Sequence, residues 1–131
     1  MSMPHIPEEV LSLLAEDQQR RFHSFFDLKP RWYVGGEGKP LSPVAVEQFL
    51  QFGRVVKSVL PRASLFMGLE GSIEVMWHEE NRCICDIEFF DDRIEYWREL
   101  TDEEGVVVVT DTATDIATIA TVFFPPPTES L

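Results

Sequence analysis

Four carboxylates recur at every second position of three short runs. They are Glu74 in Ile73-Glu74-Val75-Met76-Trp77, Asp86 and Glu88 in Cys83-Ile84-Cys85-Asp86-Ile87-Glu88-Phe89, and Glu95 in Arg93-Ile94-Glu95-Tyr96-Trp97. Carboxylates brought together in this way can do acid–base work on glycosides or hold a hard metal ion. Either role needs a concave site, whereas alternating acids are the ordinary dress of a solvent-facing antiparallel strand. His78, Cys83 and Cys85 are donor types for zinc. However, His78 is expected to face away from both thiols, and a fourth ligand is missing. A strand thiol at Cys83 also has no base beside it to make it a nucleophile. The reading is therefore of a chain without catalytic residues, cofactor or metal.

The elements that place these residues read as a meander over residues 71–100. Each run alternates with a period of two, with turn residues at Glu79-Glu80-Asn81 and at Asp91-Asp92. The alternation predicts an apolar face of Ile73, Val75, Trp77, Cys83, Cys85, Ile87, Phe89, Ile94 and Tyr96. The opposite face carries Glu74, Met76, His78, Ile84, Asp86, Glu88, Arg93, Glu95 and Trp97. Met76, Ile84 and Trp97 are too apolar for a face meant only for water. Either a terminal segment covers them, or they form the centre of a binding surface with Glu74, Asp86, Glu88 and Glu95 as its rim.

Upstream, Pro7-Glu8-Glu9 reads as a helix start. Leu11, Leu14, Gln18, Phe22 and Phe25 follow as one apolar face ending near Phe26. Residues 27–41 are a connection rich in glycine and proline. Its Gly35-Gly36-Glu37-Gly38-Lys39 is no phosphate loop, because Pro40 stands where Ser or Thr is needed. Arg31-Trp32-Tyr33 either anchors this loop or lines a small groove. Ser42-Pro43 starts a second helix with Val46, Phe49, Gly53, Val56 and Leu60 on its stripe, widened by Phe52, Val55 and Val59 and stopped by Pro61. Gly53 there suggests close approach of another element. Residues 106–109 are either a fourth strand or the lead-in to a C-terminal helix. That helix is marked by Thr112, Asp115, Ile116, Ile119, Ala120 and Phe123, and Pro125-Pro126-Pro127 begins a flexible tail over 125–131. The expectation is a single α+β domain, residues 1–131: two N-terminal helices packed on a three- to four-stranded antiparallel meander, then a C-terminal helix.

The chain holds 23 acids against 11 bases, a formal net charge of −12, and residues 99–131 contain no base at all. Direct binding to nucleic acid or to an anionic membrane is disfavoured, and a basic protein partner is favoured. Cys83 and Cys85 are expected to be reduced and buried, and with no secretion signal the location is expected to be cytoplasmic.

Gly71-Ser72-Ile73-Glu74-Val75-Met76-Trp77, an alternating strand, and then Ile94-Glu95-Tyr96-Trp97 resemble a group of small bacterial or phage proteins of uncharacterised function. In that group a helix ending in proline precedes a Gly-Gly-Ile-x-x-x-Trp-like strand and a β-meander. The resemblance covers residues 42–100 and implies an α+β fold and bacterial or phage origin. It transfers no catalytic residue. The function expected on charge and pattern is a non-enzymatic acidic interaction module. It would inhibit or neutralise a basic nucleic-acid-binding, toxin or defence protein through Glu74, Met76, Ile84, Asp86, Glu88, Glu95 and Trp97. The alternatives are a hydrolase using the sheet carboxylates, or a structural homodimer.

Overall fold

The structure is a computed structural model that describes residues 6–99, 103–108 and 112–123. The chain is α+β, as the patterning indicates. Five strands form one antiparallel meander in sequence order: β1 (Ser64–Met67), β2 (Ile73–Glu79), β3 (Arg82–Phe89), β4 (Arg93–Arg98) and β5 (Glu103–Val108). Of residues 106–109, ambiguous in sequence, 106–108 thus fall in a strand, and Val109 lies outside the described residues. The helix α4 (Thr112–Phe123) follows it, while the expected tail at 125–131 lies outside the described residues.

The N-terminal helical stretch is broken in two, α1 (Glu8–Leu11) and α2 (Glu16–Phe25). Ser12 closes α1, its hydroxyl donating to the Glu9 carbonyl, a local bond of the kind by which serine competes with helix continuation. Glu16 and Asp17 then open α2 at the positive end of its dipole. Both Val10 and Leu14 are buried as a result. The helix α3 (Pro43–Val55) is capped by Ser42, whose hydroxyl accepts from Ala45 N at 3.2 Å. It ends before Pro61 is reached: a 3₁₀ turn (Lys57–Arg62) takes over, and Val55 is exposed rather than part of the stripe. Gly53 does serve close approach, since a Cβ there would lie 2.9 Å from Val10 Cγ1 and 3.1 Å from Leu60 Cδ1.

The core lies between the helices and one face of the sheet. Phe49 and Phe52 of α3 set their rings against Phe89 at 6.2 and 5.6 Å, Phe52 also meets Trp77 at 6.1 Å, and Phe22 of α2 meets Phe49 at 5.4 Å. Ile73, Val75, Ile87, Phe89 and Ile94 are fully buried beneath them, as the alternation predicts. The helix α4 packs on α3, with Ile116 and Ile119 in the same core. The described part of the C-terminal segment therefore sits on the helical side and does not cover the outer face.

The free edge at β1 is closed by side chains of α2. Gln18 Oε1 accepts from Leu65 N at 2.8 Å, and Arg21 Nη1 donates to Leu65 O at 3.2 Å. The outward N–H and C=O of Leu65, which could otherwise template another strand, are thereby satisfied. Arg21 also lies 5.1 Å from the centroid of the Phe66 ring.

Candidate functional site

The register lays the outer face out in rows. Glu74 of β2 stands opposite Glu88 of β3, and Glu88 opposite Glu95 of β4, with Phe66 of β1 ending the row. In the next row Met76 stands opposite Asp86, and Asp86 opposite Trp97. Glu74, Asp86, Glu88 and Glu95 line a pocket of about 470 Å³, with Trp97, Tyr96 and Gly105 completing its wall on the β4–β5 side. Gly105 leaves room for the neighbouring ring, since a Cβ there would come within 2.5 Å of Tyr96 Oη. A sheet face that looked flat in sequence is concave.

Two of the expected positions change. The register shifts by one between Trp77 and His78, so that Trp77 pairs with Cys85 and His78 with Cys83, leaving Ile84 as the extra residue of a β-bulge. Ile84 consequently packs against the core and is not part of the outer patch. Cys83 and Cys85 are free thiols and only half-buried, not enclosed as the unbroken alternation implied. Cys83 pairs with His78 of the outer row and feels the Asp86 and Glu74 carboxylates, which reinforce the upward push of burial on its thiol. Phe66 was missed, because β1 is too short to show a period.

Electrostatics within the pocket are strained. Like charges directly opposite on neighbouring strands are unfavourable, and here three glutamates stand in line. Burial, a hydrogen bond with Asp86 and the charge of Asp86 together push the Glu74 carboxyl up to about 7. Asp86 is raised by burial, against the hydrogen bond from Glu74, which favours its charged form. Glu88 is also raised by burial, although Ser72 Oγ donates to its Oε2 at 2.5 Å. At one end Arg93 offsets the field: its Nε donates to Glu95 Oε2 at 2.6 Å, its Nη1 meets Asp92 at 2.8 Å and its Nη2 meets Glu70 at 3.4 Å. Its guanidinium stacks 3.9 Å from the Phe90 centroid.

Among the described residues, no group of three or more His, Cys, Asp or Glu is placed to hold a metal ion. No helix among them is long and apolar enough to cross a membrane. Comparison with protein-family models, with curated proteins and with solved structures finds no match.

Proposed function

We propose that the outer sheet face is a docking surface for a basic segment of a protein partner, and that the chain acts by covering that partner's basic surface. The observation that carries the reading is the pocket of about 470 Å³ in which Trp97 stands beside Glu74, Asp86, Glu88 and Glu95. An aromatic wall next to carboxylates suits a guanidinium, which stacks on the ring and hydrogen-bonds the acids at once. The row of opposed glutamates is costly in the free protein and is relieved when a cation enters. The overall charge of −12 adds long-range attraction to such a partner. Isothermal titration of an oligo-arginine peptide into the protein and into Trp97→Ala and Glu88→Gln tests this. Binding that both substitutions weaken supports the pocket, and binding that neither affects removes it.

A second reading, hydrolysis by the sheet carboxylates, is favoured by one observation. Glu74 keeps its proton near neutrality beside other carboxylates, the kind of separation that an acid–base pair uses. Turnover of chromogenic glycosides that Glu74→Gln abolishes would favour the enzyme over the binding module.

A further inference from the structure

Residues 30–39 form a stapled hairpin. Arg31 N donates to Gly38 O at 2.8 Å, Tyr33 N to Glu37 O at 2.7 Å, and Gly36 N to Tyr33 O at 3.1 Å. Trp32 is the anchor: its indole Nε1 donates to Lys39 O at 2.6 Å, and its ring fills the space where a Cβ on Gly38 would lie 2.8 Å away. Lys39 N donates to Leu69 O at 2.7 Å, tying the hairpin to the turn between β1 and β2. A loop held at this many points presents its tip with little left to order on binding.

What the tip presents is unlike the rest of the chain. Tyr33 is 50% exposed and Val34 87% exposed, both larger than a fold needs to leave in water. At the base of the hairpin, Lys29, Arg31 and Lys39 are exposed, and no ion pair among the described residues engages them. Residues 30–39 hold two bases (Arg31, Lys39) and one acid (Glu37), a net of +1 in a chain of −12, and Lys29 adds a third base beside them.

We propose that this hairpin inserts into the acidic pocket of a second copy of the chain. The inference rests on the pocket being a docking surface for a cationic segment, and it names that segment. Charge complementarity carries it: the hairpin is a preorganised, net-positive projection, and the carboxylate pocket with Trp97 as its wall is its counterpart. Arg31 provides the guanidinium, and Tyr33 and Val34 provide apolar contact of the sort that anchors interfaces. Repulsion between two acidic copies acts at long range and is largely screened beyond about 8 Å at physiological ionic strength, whereas the docked pairs are in contact. Each copy carries one hairpin and one pocket, so the contact is heterologous and grows head to tail, as an open chain or a closed ring. A basic partner then competes with the hairpin for the pocket.

Sedimentation velocity at physiological ionic strength tests this with two variants, Arg31→Glu at the exposed hairpin and Glu95→Lys at the pocket rim. The wild-type protein should grow beyond a dimer as concentration rises, and each variant alone should remain monomeric. Mixed together they should stop at a one-to-one dimer, because each retains the surface that the other lacks. A wild-type protein that stays monomeric at every concentration, or a mixture that forms no dimer, overturns the proposal. Oligo-arginine binding to the Arg31→Glu variant separates this from the reading on which it rests. Peptide binding without self-assembly of the wild type leaves the pocket standing and removes the hairpin as its occupant. Failure of the peptide to bind removes both.

Discussion

Glu74 and Asp86 share a hydrogen bond between their carboxyl groups across β2 and β3, and with burial it raises the Glu74 carboxyl to about 7. The bond exists because the register sets them one row apart on the same face, with Glu88 directly opposite Glu74. A proton held there at neutral pH is the protein's own partial answer to the crowding of acids. A cation arriving from outside is a fuller one.

The first consequence is a dependence of stability on pH. The folded state holds Glu74 protonated up to about 7, against an ordinary value of 4.5. A raised carboxyl contributes stability that is fully present below its unfolded value and is lost as pH rises through its folded one. Stability is therefore expected to increase as pH falls from about 8 towards 5, and Asp86 and Glu88, also raised, act in the same direction. The gain from Glu74 is on the order of 1–2 kcal/mol once solvent screening of a half-exposed group is allowed for. Urea unfolding at a series of pH values checks this, and Glu74→Gln should flatten the profile.

The same proton links pH to binding. A guanidinium entering the pocket favours ionised Glu74 and expels its proton, so affinity for an oligo-arginine peptide should rise with pH between about 6 and 8. The limit for one proton is about tenfold per pH unit. Calorimetry in buffers of different ionisation enthalpy reads the released proton directly.

Glu88→Gln should separate stability from function. It removes the central charge of the row Glu74–Glu88–Glu95 while leaving an acceptor for the Ser72 hydroxyl. The variant is expected to gain roughly 0.2–1 kcal/mol in folding stability and to lose affinity for the peptide. Thermal melting and titration of the same sample check both halves.

Trp97 is half-buried on the outer face and lines the pocket. Trp97→Ala is expected to weaken peptide binding by at least about 1 kcal/mol. Its cost to folding should fall well below the roughly 3–5 kcal/mol of a core aromatic. Denaturant unfolding of this variant beside Trp77→Ala, which empties a core position, makes the comparison internal.

Gly71 is a structural test at the turn before β2, next to the Ser72 that holds Glu88. Its φ is +78°, and a Cβ there would overlap the Pro40 carbonyl oxygen where the hairpin connection crosses the turn before β2. Gly71→Ala is expected to cost roughly 1–3 kcal/mol from strain at a left-handed position, more than any propensity gain returns. Chemical denaturation measures it.

Much of this arrangement could be read from residue spacing. The period-two runs around Glu74, Glu88 and Glu95 indicated both the meander and the shared face of the acids, because alternation fixes sidedness wherever one face is buried. Ile84 was misplaced because a bulge is a pairing property: nothing in Cys83-Ile84-Cys85 itself says that Ile84 is the extra residue. The strand β1 was illegible for a related reason. Ser64-Leu65-Phe66-Met67 is too short to show a period, and its edge is held by Gln18 and Arg21, 47 and 44 residues away. The break between α1 and α2 hid within a stripe of apolar residues that a continuous helix would have explained almost as well. Concavity of the acidic face is likewise a tertiary property, arising where Trp97, Gly105 and the carboxylates meet.

The most direct test of the docking face uses the three tryptophans as reporters. Trp77 is 6% exposed in the core, Trp32 anchors the hairpin through Lys39 O, and Trp97 lines the acidic pocket. Adding an oligo-arginine peptide to the ¹⁵N-labelled Arg31→Glu variant, whose hairpin does not occupy a neighbour's pocket, should shift the Trp97 indole resonance progressively and saturably, while those of Trp77 and Trp32 stay in place. Peptide binding that leaves the Trp97 resonance unmoved, or that moves the Trp32 signal instead, would contradict the assignment of the basic partner to this face.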